Sequence, residues 1–409
     1  MKRLVMKFGG TSVADIKRIE KAADKVREEV SRGHEVAVVV SAMSGVTNQL
    51  VEYCRAVSPL HDAREYDAIV ASGEQVTAGL MALALQKRGI QARSWLGWQV
   101  PILCNDTHGS ARIENIDTDE LNKRLPEGEV AVIAGFQGVS DDDRIATLGR
   151  GGSDTSAVAI AAALGADRCD IYTDVDGIYT TDPRIVPEAR KLSLVAFEEM
   201  LEMASVGAKV LQTRSVEMAM KMNVPIQVLS SFEKPVGSDL PGTLVVPEDQ
   251  IMEREVVNGI AYSKDDAKIT LVDVPDIPGI SAAIFAPLTK GAINVDMIVQ
   301  SASEDGQRTD MTFTVPSHDL ARALTQLESI ESLKGTKIVS DPNVSKISVV
   351  GIGMKSHAGV AQTMFQALAD KGINIQVIST SEIKISVLIS SDYTELAVRA
   401  LHSAYGLEK

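Results

Sequence analysis

From Leu4 to about Val246, short runs of apolar, β-branched residues alternate with longer segments whose apolar positions recur every three to four residues. The runs LVMKF, EVAVVVSAM, EVAVIAGFQG, CDIYTDV and IQVLSSF are too continuous for half-exposed strands, so they predict strands buried on both faces. With amphipathic helices between them, the pattern predicts an α/β domain around a mainly parallel sheet. Helix start signals stand at Ser12 and at Ser153, where SDTSAVAIAAALG is closed by Gly165. The stretch PVGSDLPGTLVVPEDQ, rich in proline, glycine and acidic residues, marks the end of this domain, read as residues 1–246.

Residues 247–409 carry an internal repeat. PGISAAIFAPLTKGAINVDMIVQSAS from Pro278 aligns without gaps with AGVAQTMFQALADKGINIQVISTSE from Ala358, at an offset of 80 residues. Gly279 matches Gly359, Phe285 matches Phe365, Asn294 matches Asn374 and Ser301 matches Ser381. Each copy reads as strand, glycine turn, helix and second strand, which predicts two small modules, about 265–340 and about 341–409, each burying its face against its twin. A strand from 250–264 is available to complete the second.

A chain of 409 residues exceeds one ordinary core. The net charge of −14 argues against nucleic acid, whose binding draws on lysine and arginine set against phosphates, and favours small metabolites. Cys54, Cys104 and Cys169 are widely spaced and form neither a disulfide framework nor a metal pattern, so buried, reduced thiols are expected. The N-terminus lacks the apolar stretch of a signal peptide, and no uninterrupted apolar run reaches transmembrane length; a cytoplasmic protein with no membrane partner is expected.

There is no GxxxxGK[ST] loop, and GRGGSD departs from GxGxxG at Asp154. Nucleotide chemistry, if present, uses another scaffold. Lys7 ends the first run, with Gly9 and Gly10 behind it, which fits either a phosphate clamp or a strand lysine before a tight turn. Ser41, Ser44, Gly45 and Thr47 follow the second run at the strand end where open α/β sheets place ligands, and equally fit a serine-rich helix cap. Glu74 opens an apolar helix, either as a solvent-facing acid favoured by the dipole or as the receiver of a substrate ammonium. In YTDVDGIYTTDPRIV, the residues Thr173, Asp174, Tyr179, Asp182 and Arg184 crowd a strand end and suit a purine nucleotide better than a plain turn. Lys209 sits at a helix start, where a cation opposes the dipole, which invites a ligand phosphate; a surface lysine is the other reading.

In their order and spacing, KFGGTS, VVVSAMSGVTNQL, SGEQ, HGSARI, GRGGSDTSAV, YTDVDGIYTTDPR and GAKVL resemble the aspartate kinases, and the duplicated C-terminal module resembles the tandem ACT domains of that family. The resemblance runs from Met1 to Lys409. It implies an amino-acid-kinase fold followed by two ferredoxin-like α+β modules, and transfer of a phosphoryl group from ATP, with Mg2+ held mainly by the phosphates, to L-aspartate. By resemblance, Lys7, Gly9 and Gly10 clamp phosphate, Ser41 donates near the transferred group, and Thr47 and Glu74 contact aspartate. Arg150, Gly151 and Ser153 resemble the aspartate loop, and Thr173, Asp174, Tyr179, Asp182, Arg184, Lys209 and Val210 the nucleotide contacts. Two lysines converging on one site repel unless a carboxylate separates them, the role implied for Asp154. No metal site of the protein's own is implied. WQVPILCNDTHGSARI departs from the family pattern at Cys104 and Asn105.

The same resemblance implies amino-acid effectors, lysine or threonine or both, bound through Asp276, Gly279, Asn294, Asp296, Gln300, Asn374, Ile375, Ser381 and Glu382, and a homo-oligomer built on the ACT modules. The first step of lysine, threonine and methionine biosynthesis would then be under feedback control. The competing readings are a related kinase acting on another amino acid such as glutamate or on a nucleoside monophosphate, and a non-catalytic amino-acid sensor with a kinase-like domain.

Overall fold

The computed structural model describes the chain except residues 208–209, 233–241, 252–254, 303–306, 353, 355–356, 358 and 409. The chain forms two compact units: Met1–Ile178 with Lys191–Ala204 and Lys209–Met252, and Tyr179–Arg190 with Ser205–Ala208 and Glu253–Lys409.

The first unit is built on an eight-stranded sheet. Its strands lie in the order Leu194–Ala196, Thr243–Val246, Ile226–Ser230, Arg168–Thr173, Arg3–Phe8, Glu35–Val40, Val130–Ala134 and Ala92–Trp95. Every pairing from Ile226–Ser230 to Ala92–Trp95 is parallel, and Thr243–Val246 runs antiparallel to Ile226–Ser230. The apolar runs are buried almost throughout, as in Val130–Ala134 and Ile226–Ser230, because helices cover both faces of a sheet whose strands are joined by crossovers. After Arg3–Phe8 the chain builds toward Ala92–Trp95, then returns to lay Arg168–Thr173 on the other side. Such a reversal opens a crevice at the strands' carboxyl ends. Lys7 is at that end of the first strand.

Two local readings change. The first helix begins at Ile16, capped by the Asp15 carboxylate accepting from the Arg18 N–H. Ser12 does not cap it: its hydroxyl is buried against Ser231 Oγ at 2.5 Å and the Tyr172 carbonyl at 3.2 Å. The helix Gly152–Ala163 begins one residue ahead of Ser153, with Gly151 in the left-handed region at φ 71°. Ala63–Gln86 is long and apolar enough to cross a membrane by composition, but 56% of that window is buried inside the fold, as in the core helix of a folded domain.

The second unit contains both repeats. The first has a four-stranded sheet ordered Asp296–Ala302, Arg308–Pro316, Asp266–Pro275 and Lys337–Asp341; the second is ordered Gly259–Ser263, Val344–Val350, Lys384–Ser390 and Val377–Thr380. Gly279 and Gly359, 80 residues apart, both cap helices with positive φ, 93° and 107°. The expectation that each copy buries its face against its twin needs correction. Each has its own core, around Ile284, Leu288 and Phe313 in one and Met364, Leu368 and Val387 in the other. Among the described residues a small cluster of Met297, Val344, Val377 and Leu388 draws on both. Four strands with two helices on one face already cover the apolar side of each sheet.

Candidate active site

A cleft of about 360 Å³ opens at the crevice of the first unit. It is lined by Lys7, Gly10, Ser41–Gly45, Thr47, Asn48, Glu74, Phe136 and Gly149–Asp154. Three chain segments supply its chemistry: the end of the first strand, the start of the helix Ser72–Gln86, and the loop between the strand Ile145–Thr147 and the helix Gly152–Ala163.

Lys7 is the first. Its ammonium lies 2.5 Å from the Asp154 carboxylate, and both residues are buried. Behind it the Gly9 N–H donates to the Tyr172 carbonyl at 3.2 Å. A Cβ on Gly10 would stand 3.1 Å from the Ala42 carbonyl, so a bare backbone lets the two strand-end loops approach.

Glu74 is the second. The Ala42 N–H donates to one carboxylate oxygen at 2.9 Å, and the other, although buried, has no donor among the described residues. Burial raises its pKa to about 7, against the smaller opposing pull of the Ala42 hydrogen bond. Glu74 is therefore not a solvent-facing acid: only 3% of it is exposed, and an unpartnered buried carboxylate oxygen invites a cationic ligand.

The loop Leu148–Ser153 is the third. Arg150 is exposed at its crest and lines the cleft, forming no ion pair with any described residue. Gly151 must be glycine: its φ is positive, and a Cβ would fall 2.2 Å from Gln212 Cγ. Ser153 and Thr47 complete the wall.

Thr173 ends the neighbouring strand and Asp174 follows it, with the Thr173 hydroxyl 3.2 Å from the Asp174 carboxylate, and Val210 is half-buried in the same unit. Tyr179, Asp182 and Arg184 fall in the second unit. There Arg184 pairs with Asp182 at 2.7 Å and the Tyr262 hydroxyl donates to Asp182 at 3.2 Å. Lys209 lies outside the described residues. Reading the sequence for chemistry overlooked Phe136, which lines the cleft with a left-handed φ of 68°; its only signal was the flanking glycines of GFQG.

Three comparisons bear on this arrangement. Residues 2–230 match the amino acid kinase family, and residues 268–332 and 347–405 each match an ACT domain. The aspartate kinase of Pseudomonas putida is 52% identical over all of this chain and 98% of its own length. The aspartokinase of Pseudomonas aeruginosa is likewise 52% identical, over 100% of this chain and 98% of its own. The chain belongs to the aspartate kinase family. The E. coli aspartokinase III structure in complex with aspartate and ADP (R-state) superimposes with a TM-score of 0.81 at 27% identity, covering 98% of this chain and 99% of that one.

Within this aspartate kinase family member the departing loop is tied by its own bonds. The Asn105 side chain accepts from the Arg112 N–H at 3.0 Å, and burial pushes the Cys104 thiol up to about 12, so it is an unreactive core group. All three cysteines are free and buried, as the spacing suggested.

The ACT residues separate into groups. Gly279 caps a helix, Asp276 precedes it and is exposed, and Asn294 and Asn374 are exposed just ahead of equivalent strands. Asp296 pairs at 2.7 Å with Lys346 of the other module; burial raises its pKa but the Lys346 ammonium outweighs this and leaves it below the usual range. Gln300 is exposed along the same strand, and Ile375 is half-buried. Ser381 is a turn residue, its hydroxyl accepting from the Lys384 N–H at 3.2 Å, with Glu382 exposed beside it.

Proposed function

We propose that this aspartate kinase transfers the γ-phosphoryl group of ATP to the side-chain carboxylate of L-aspartate, giving ADP and 4-phospho-L-aspartate. The observation that carries the reading is the pairing, in one cleft, of a buried Lys7–Asp154 ion pair with an unpartnered Glu74 carboxylate and an exposed Arg150. A cation receptor and a carboxylate receptor side by side suit a zwitterionic amino acid. Glu74 takes the ammonium, Arg150 pairs with a carboxylate, and Thr47, Gly151 and Ser153 supply further donors.

The acceptor carboxylate is already ionised at neutral pH, so no general base is needed. What the reaction requires is in-line placement and positive charge over the phosphoryl oxygens and the departing ADP. Lys7, with the backbone of Gly9 and Gly10, supplies that charge, and Ser41 donates near the transferred group. Asp154 holds the Lys7 ammonium in place, and by resemblance also that of Lys209. Thr173, Asp174, Tyr179, Asp182, Arg184 and Val210 carry the nucleotide role by resemblance. Mg2+ takes oxygen ligands and arrives with the phosphates in such kinases.

We assign the ACT pair to feedback control by lysine, threonine or both, in a cytoplasmic homo-oligomer. The family setting at the head of lysine, threonine and methionine biosynthesis supports this, as does the E. coli aspartokinase III structure in complex with lysine and aspartate (T-state), 27% identical with a TM-score of 0.77. Hydroxamate trapping of the acyl phosphate with aspartate and ATP tests the activity. A glutamate arm tests the acceptor. Aspartate-dependent hydroxamate well above the no-enzyme rate is expected, and its absence would remove the reading.

A further inference from the structure

Outside the cleft, one fully buried carboxylate has more hydrogen-bond partners than its own helix needs. Asp67, on the helix Ala63–Val70, is 0% exposed. It accepts from the Gly109 N–H at 3.0 Å, the Thr147 N–H at 3.0 Å and the Thr147 hydroxyl at 2.5 Å, and lies 2.8 Å from His108 Nδ1. Thr147 is the residue immediately before the loop that ends in Arg150, Gly151 and Ser153. The following residue is fixed from both sides, the Leu148 N–H donating to Phe136 and its carbonyl accepting from Arg214 at 2.6 Å.

We infer that Asp67 is a positioning residue for acceptor binding: its carboxylate sets where the Leu148–Ser153 loop leaves the short strand Ile145–Thr147, and hence where Arg150 stands. The inference rests on the reading of that loop as the aspartate site. Three donors converging on one carboxylate leave the strand end a single position, whereas an amide in its place would turn an NH2 group toward at least one of those N–H groups. Two donors facing each other across a buried gap push the strand end away from the helix. A shift of this kind moves Arg150 relative to the cleft.

The test is steady-state kinetics of the full chain, with aspartate and ATP varied separately and the folded fraction checked by thermal melting. Asp67→Asn is expected to raise the KM for aspartate about ten-fold or more, the scale of a misplaced substrate-orienting group, while the KM for ATP stays near the wild-type value. Thr147→Val, which removes only the hydroxyl donor, should raise it less, and Thr147→Ser should bring it back toward wild type. If Asp67→Asn does not fold, the Thr147 pair carries the test. A folded variant with unchanged aspartate KM, or equal rises for both substrates, overturns the inference. Arg150→Ala separates the two readings: if it too leaves the aspartate KM unchanged, the loop assignment itself fails, and if it alone raises the KM, only the role of Asp67 fails.

Discussion

The ammonium of Lys7 and the carboxylate of Asp154 lie 2.5 Å apart at the mouth of the central sheet, one ending the first strand and the other in the first turn of the helix Gly152–Ala163. An acid near a helix N-terminus is locally favoured, so the first turn of this helix is a suitable place for the partner of Lys7. Removing one member of such a buried pair leaves the other uncompensated. Lys7→Ala is expected to lower kcat by about a hundred-fold or more, the scale of losing one preorganised donor to a transition state. Asp154→Asn should damage turnover far more than nucleotide binding; equal losses in a binding titration and in kcat would contradict its role.

Glu74 gives a pH dependence. In the free protein its pKa is raised to about 7, so at pH 6 the carboxyl is mostly protonated and at pH 8 mostly ionised. An ammonium ligand binds the ionised form. The KM for aspartate is therefore expected to rise as pH falls below about 7, approaching roughly ten-fold per unit, while aspartate's own side chain, near 3.9, stays ionised throughout. Glu74→Gln should show a high, pH-flat aspartate KM between pH 6 and 8. A slope persisting in that variant would move the titration to another group.

Gly151 offers a steric test with a built-in control. Both Gly151 and Gly33 have positive φ, 71° and 82°, but a Cβ at Gly33 meets nothing within 4 Å, whereas at Gly151 it meets Gln212. Gly33→Ala is expected to cost about 1–2 kcal/mol from backbone strain alone. Gly151→Ala should cost more and also weaken aspartate binding, because Gln212 or the loop has to move. Equal losses in denaturant titrations of the two variants would show that the crowding is relieved without consequence.

Regulation is tested at Asn374, exposed ahead of the strand Val377–Thr380 and not among the residues that line the cleft. Asn374→Ala is expected to shift inhibition by lysine or threonine to higher concentration and leave uninhibited turnover near wild type. Inhibition curves unchanged for both amino acids would remove Asn374 from the effector contacts. An effector acts only through unequal affinity for two arrangements of the protein, so its own binding should weaken by the same factor by which it weakens aspartate binding.

What the sequence determined by itself is whatever periodicity and local chemistry encode. The buried strands were legible because both faces of Val36–Val40 or Val130–Ala134 must be apolar when helices lie on each side. The repeat was legible because Gly279 and Gly359 occupy positions that only a residue without a Cβ adopts readily. Ser12 misled because a hydroxyl before a helical pattern looks like a cap, while its actual partners are Tyr172, in a distant strand, and Ser231, just past another. Burial of Glu74, the clasp between Lys7 and Asp154, and the convergence of Gly109 and Thr147 on Asp67 belong to the tertiary structure alone. Each depends on groups many residues apart, and a carboxylate reads the same in sequence whether it faces water or a buried donor; only packing fixes its solvation, and solvation fixes its charge and its role.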